Sequence, residues 1–273
     1  MGTSQSSKGP GSKLPIVPPW VSDPDNGNGS TVSGEAPEQP VQASEQQILL
    51  APARRFADAR RSIGSFAKTG NKVQMKKALG SYVRTSYGGA KTVAKRHANT
   101  SRTAVTLYDI LSPQNAREAI ERIIERPIFE GQSAEELMNA IVEATRPVDG
   151  TQDAEANRRS IKDALADLLE KFPNADLLQL SEEERMFAAQ QYIFWDIFKR
   201  FQLDLGTAIH NKAPDIATAL TRLKEVRDYI KETVSATFNK LQKAGEKPDK
   251  NTVGRIINSA LKETFDIFSS YTE

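Results

Sequence analysis

The sequence contains no cysteine in 273 residues, which removes disulfide frameworks, thiolate metal sites and cysteine nucleophiles and fits a reducing compartment. Histidine is nearly absent. His97 and His210 stand alone, in no spacing that holds a metal, so no metal ligand set is expected. No serine sits in a Gly-x-Ser-x-Gly elbow, and no spacing of carboxylates argues for an acid/base pair, so no catalytic residue and no cofactor are expected. The nearest string to a phosphate loop, Gly88-Gly89-Ala90-Lys91-Thr92, has an alanine between glycine and lysine and no strand-like segment before it. It reads as a helix break, whose free amides could at most meet an anion. Long apolar runs are missing too: none approaches the roughly 18 residues that cross a bilayer, and the N-terminus lacks the basic-then-apolar order of a signal peptide. A cytoplasmic protein without membrane partners is the expectation.

What is present is a division of charge. The chain holds 37 Lys+Arg and 35 Asp+Glu, a net charge of +2, but the pieces differ. Residues 1–50 sum to −3, residues 51–102 to +12 with a single acid, Asp58, and residues 103–273 to −7. A chain polarised in this way suggests an anionic partner for its middle piece, or an acidic one that includes its own C-terminal half.

Residues 1–43 concentrate proline, glycine and serine and have little with which to build a core, so they read as a disordered or extended arm. Within it, Leu14-Pro15-Ile16-Val17-Pro18-Pro19-Trp20-Val21 combines pre-set extended geometry with apolar side chains. Residues 14–21 read as a docking segment for a partner, with packing of Trp20 on its own chain as the alternative.

From Ser44 onward helix signals replace strand-like alternation. A capping box, Ser44-x-x-Gln47, is limited by Pro52; helices are expected from Ala53 to about Lys68, from Asn71 to about Arg84 and from Ala90 to His97, with breaks at Gly70 and at Gly88-Gly89. Amphipathic spacing marks Pro113 to Glu125, Ser133-x-x-Glu136 to Thr145, which opens on a serine box, and Asp153 to Lys171. The strongest start, Ser181-x-x-Glu184, opens a helix carrying Met186, Phe187, Tyr192, Phe194, Trp195, Phe198 and Phe201, an aromatic stripe read as core. Pro214 sits in the expected first turn of a helix through Leu241, and Pro248 precedes another through Phe268. The expected fold is all-α: a multi-helix, bundle-like body divided into a basic region, 44–102, and an acidic domain, 103–273, preceded by the arm, 1–43.

The basic region offers Arg54, Arg55, Arg60, Arg61, Lys76, Lys77, Arg84, Lys91, Lys95, Arg96 and Arg102, interleaved with Phe56, Phe66, Tyr82 and Tyr87. Cations could track a phosphate backbone while aromatic rings stack bases. An acidic protein partner explains the same cations equally well, because no nucleic-acid motif accompanies them.

The first residues carry a different chemistry. Removal of Met1 would leave the α-amine of Gly2 on a flexible arm; its ordinary pKa near 8 keeps about a tenth or more neutral at pH 7, and no side chain hinders it. It is a natural nucleophile for acylation, although a glycine here also occurs by accident, and Met1-Gly2-x-x-x-Ser6 fits the permissive myristoylation pattern as well.

Met1-Gly2-Thr3-Ser4, Gly9-Pro10-Gly11 followed by Leu14 to Trp20, and more weakly Ala78-Leu79-Gly80-Ser81-Tyr82, Gly88-Gly89-Ala90 and Ala94-Lys95-Arg96, resemble QatB, a component of the bacterial four-gene Qat anti-phage system. The resemblance covers about the first 100 residues. It implies a setting with three partners: a KAP-type P-loop ATPase, a QueC-like enzyme and a TatD-like metal-dependent DNase. QueC relatives adenylate the carboxylate of 7-carboxy-7-deazaguanine and let an amine attack it, and in the defence-associated relatives that amine is an N-terminal glycine of a neighbouring protein. By resemblance, Gly2 is the modified residue, Thr3, Ser4, Leu14, Ile16, Val17, Trp20 and Val21 dock the arm on the enzyme, and the helical body is a non-enzymatic adaptor to the ATPase and nuclease. The rival is a nucleic-acid-binding protein acting through Arg54 to Arg102.

Overall fold

The computed structural model describes residues 15–17, 50–125, 133–147, 152–242 and 250–272. Among them the chain forms ten α-helices and no strand: α1 (Ala57–Thr69), α2 (Lys72–Ser81), α3 (Ala90–Arg96), α4 (Ala98–Ile110), α5 (Ala116–Ile124), α6 (Ala134–Thr145), α7 (Gln152–Lys171), α8 (Glu182–Lys212), α9 (Ile216–Gln242) and α10 (Lys250–Ser269). A π turn, Tyr82–Ser86, continues α2, and a 3-10 turn, Ser270–Thr272, follows α10. The all-α expectation holds.

The boundaries follow from local chemistry. Both serine boxes that the sequence offers after residue 130 are formed: Ser133 accepts from the Glu136 amide at 3.2 Å, Ser181 from the Glu184 amide at 3.3 Å, and each glutamate reaches back to the serine amide. These reciprocal bonds satisfy amides that a helix start otherwise leaves unpaired. Helix α1 ends at Gly70, whose φ of 73° and amide bond to Phe66 O at 2.7 Å make a left-handed cap. Asn71 restarts the chain by accepting from the Val73 amide at 2.9 Å. Pro214 lies just before the first turn of α9 rather than in it, because Asp215 takes the capping position through the Thr218 amide at 2.7 Å. The Ser44–Gln47 box and Pro248 lie outside the described residues.

Helix α8 is the organiser. It packs against α7, α1, α9 and α4, while α10 closes the other side against α9, α3 and α4. Tyr192, Phe194 and Phe201 of α8, Phe66 of α1, Phe238 of α9, and Phe265 and Phe268 of α10 are fully buried in one continuous apolar cluster. Burying each such ring contributes roughly 2–3 kcal/mol over leaving it in water. The charge step at residue 102 falls inside α4, and the helices on its two sides share that cluster. The Tyr192-to-Phe201 stripe, read from sequence as core, is core.

Helix α4 is the element that sequence reading passed over. Its buried face is Ala98, Thr100, Ser101, Thr103, Ala104, Leu107 and Tyr108, of which Thr100, Ser101, Thr103 and Tyr108 have weaker helix preference than alanine or leucine and carry hydroxyls that blur the apolar stripe. Contacts with α8 and α10 supply what propensity does not.

Candidate functional site

Of the residues expected to dock a partner, Ile16 and Val17 are described; Gly2, Thr3, Ser4, Leu14, Trp20 and Val21 lie outside the described residues. Pro15 forms an isolated antiparallel bridge with Leu50. The Ile16 side chain is 3% exposed and belongs to the apolar cluster, beside Ala51 at 4%. Its carbonyl accepts from Arg96 Nη1 at 2.9 Å. Gly88 lies alongside: a Cβ there would come within 3.9 Å of Ile16 Cδ1, and its φ of 76° uses the freedom of glycine at a tight exit from the π turn. Four parts of the chain therefore meet at Ile16: the arm, the segment entering α1, the turn before α3, and α3 itself.

Beneath this seat is a polar and aromatic floor. Tyr82 and Tyr87 donate to one carboxylate oxygen of Asp204, at 2.9 and 2.8 Å. Their rings pack edge-on at 5.1 Å, with Phe56 and Phe201 against them. Three arginines surround the group. Arg55 lies 4.6 Å above Phe56 and 4.9 Å above Tyr87, Arg96 covers Tyr87 at 5.6 Å, and Arg60 donates to the Asp204 carbonyl at 3.1 Å. Burial pushes the Asp204 carboxyl above the ordinary carboxylate range, against the lowering effect of the tyrosine hydroxyls and of Arg55 and Arg96. Burial likewise raises both tyrosines. Arg55 is itself buried, with Nε and Nη2 lacking a hydrogen-bond partner, so its place rests on stacking over the rings.

A second buried charge lies two turns up α8. Asp196 accepts from Thr100 Oγ1 at 2.6 Å and from Arg200 Nε at 3.0 Å, with His97 Nδ1 at 3.4 Å. Burial alone would raise its pKa; Arg200, His97 and Thr100 outweigh that and hold the carboxyl well below the ordinary range. His97 is fully enclosed, and burial lowers its pKa, so it meets Asp196 as a neutral hydrogen-bonding ring and Arg200 carries the compensating charge. This cluster ties α4 to α8.

The eleven basic residues separate by environment. Arg55 is buried; Arg60, Lys95 and Arg96 are half-buried; Arg54, Arg61, Lys76, Lys77, Arg84, Lys91 and Arg102 are exposed. Arg61 pairs with Asp58 at 3.1 Å, Arg102 bonds Asn99 at 3.0 Å, and Lys76 lies over Tyr229 and Tyr271. The aromatic residues interleaved with them are all internal: Phe56 at 3%, Phe66 at 0%, Tyr82 at 2% and Tyr87 at 4% exposure. The expected stacking of bases on these rings is thus corrected, because they serve the core and the seat of the arm.

Two clefts open elsewhere on the body, one of about 470 Å³ along α5 between Pro113, Glu121 and Leu178, the other of about 260 Å³ near Tyr108, Asp109 and Arg185. Among the described residues no three histidine or acidic side chains gather as metal ligands, and no helix is long and apolar enough to cross a membrane.

Fold and site together define an all-helical protein that holds part of its own N-terminal segment on an arginine-rimmed aromatic floor. The family model of QatB, the Qat anti-phage system associated protein, matches residues 88–268. The chain belongs to this family, and so to the components of an anti-phage defence system. The match covers most of the helical body, whereas the resemblance read from sequence lay in the first 100 residues; the two overlap only from Gly88 onward. No curated protein and no solved structure matches the chain.

The Asp204 group went unrecognised in the sequence because its members are far apart in the chain, Tyr82 and Asp204 by 122 residues. One signal was available: Asp196, Arg200 and Asp204 recur every fourth residue on a helix otherwise apolar on most sides.

Proposed function

We propose that this chain is the acceptor and adaptor subunit of its defence system, with the amine of Gly2 as the group a QueC-like partner acylates. The observation that carries the reading is membership of the QatB family, joined to the unhindered α-amine that the sequence offers at Gly2. The chemistry is balanced by ATP on the partner enzyme. The carboxylate of 7-carboxy-7-deazaguanine displaces pyrophosphate to form an acyl adenylate; the neutral glycine nitrogen attacks the acyl carbon, AMP leaves, and the ammonium proton passes to solvent or a base, giving an amide. A primary amine of pKa near 8 suits this step far better than any lysine of pKa near 10.4. The body then presents the modified terminus to the KAP-type ATPase and the TatD-like nuclease, and the protein itself catalyses nothing.

The test is the intact and N-terminal peptide mass of the protein produced alone and with its three genomic neighbours. A deazaguanine-sized increment on Gly2, present only in co-production and lost with Gly2→Pro, is the expected result. An unmodified glycine in both samples would reject the reading. The exposed cations Arg54, Lys77, Arg84, Lys91 and Arg102 support a second role, contact with an acidic protein face or a nucleic acid backbone through charge alone.

A further inference from the structure

The bridge between Pro15 and Leu50 divides the N-terminal segment in two. We infer that Pro15, Ile16 and Val17 clasp the arm to the body, so that only residues before Pro15 set the reach of Gly2, while residues 18–49 form a closed excursion that adds nothing to it. The inference rests on the reading of Gly2 as the acylated group only for its consequence; the clasp stands on contacts alone. Ile16 fills a place in the apolar cluster, Arg96 Nη1 holds its carbonyl at 2.9 Å, and Leu50 brings the chain back beside Pro15 just before Ala51 becomes buried. Among the described residues, the seat is built from Pro15 and Ile16, from Leu50 and Ala51, and from Gly88 and α3.

The consequence is a distance. Gly2 lies thirteen residues before Pro15 and forty-eight before Leu50. A fully extended thirteen-residue tail reaches about 45 Å. Whatever enzyme takes the amine must therefore sit on the body within that radius of Arg96. Opening the clasp would replace a thirteen-residue tether by a forty-eight-residue one. Effective concentration at a docked active site falls roughly as the −3/2 power of tether length, hence about sevenfold.

The absence of native cysteine makes the clasp directly testable. Residues paired across an antiparallel bridge lie at Cα separations of about 4.5–5.5 Å, inside the range a disulfide spans. In the full chain, the double variant Pro15→Cys with Leu50→Cys should close a single intramolecular disulfide in oxidised glutathione, which takes up the two electrons, and the mass should fall by that of two hydrogens. A pair that stays reduced under these conditions overturns the clasp. In co-production with the neighbours, deletion of Pro24 to Glu38 should leave the rate of Gly2 acylation unchanged. The opened variant, Ile16→Ser with Arg96→Gln, should slow it about sevenfold, and the oxidised cysteine pair should retain the parent rate. Acylation that slows with the internal deletion also overturns the inference. If Gly2 is not acylated even in the parent chain, the function reading fails by itself, and disulfide closure in the cysteine pair still decides whether the clasp exists.

Discussion

Asp196 and Asp204 occupy the same helix two turns apart, yet burial has acted on them with opposite net results. Asp196 has a full compensating charge in Arg200 and hydrogen bonds from Thr100, so its folded pKa lies below the unfolded value. Its stabilising contribution is present above about pH 4 and is lost as pH falls toward the depressed folded value. Asp196→Asn should cost about 3 kcal/mol at pH 7 by removing the carboxylate charge that the half-buried Arg200 pairs with. That penalty, read from urea midpoints, should shrink as the pH is lowered below 4. Asp204 has the reverse sign. Its folded pKa is raised by burial, so the folded state loses stability as pH climbs from the unfolded carboxylate value through the folded one. Asp204→Asn should accordingly compare more favourably with the parent at pH 7 than at pH 4, and the opposite trend would contradict the arrangement of Tyr82, Tyr87 and Asp204.

At the scale of elements, the helix starts that sequence marks most strongly are those that side-chain hydrogen bonds build. Ser181→Ala removes the acceptor for the Glu184 amide at the head of α8 and should lower stability by about 1 kcal/mol in chemical denaturation, with no change in helix content at low temperature. Ser133 and Ser181 were legible because a capping box is a local code, as was Gly70 because a left-handed cap selects glycine. Helix α4 was not legible. Thr100, Thr103 and Ser101 face inward there, and a buried threonine has the same letter as an exposed one; only the surfaces of α8 and α10 decide between them. The arm shows the same limit in a different form. Leu14 to Val21 advertises apolar anchoring, but nothing in the string says that the surface receiving Ile16 is the chain's own.

For the whole molecule, the distribution of charge and of aromatic rings constrains what the basic region can recognise. The cations of residues 51–102 are largely outside and the rings largely inside. Any binding of a single-stranded oligonucleotide should therefore be electrostatic, with log affinity falling linearly in log salt at a slope of about −0.7 per phosphate neutralised and with no preference among bases. Changing Lys77, Arg84, Lys91 and Arg102 to glutamine should flatten that slope. A base preference that survives high salt would require an exposed aromatic platform that Phe56, Phe66, Tyr82 and Tyr87 do not offer. The family match extends over 88–268, whereas the strings that carried the resemblance end at Arg96; beyond them the helices show amphipathic spacing and no short motif.

The π turn at Tyr82–Ser86 carries a consequence of angular phase. On a regular α-helix, positions 82 and 87 would point about 140° apart, and two hydroxyls so placed could not both reach one carboxylate. The widened turn takes up the surplus rotation, and Tyr82 and Tyr87 converge on Asp204. The turn thus acts as a single-residue phase shift. Deleting exposed Arg84 would leave the two tyrosines four residues apart on a regular helix, about 40° from one another, so both would still face Asp204: the turn absorbs a surplus residue and keeps the register that the seat of the arm needs.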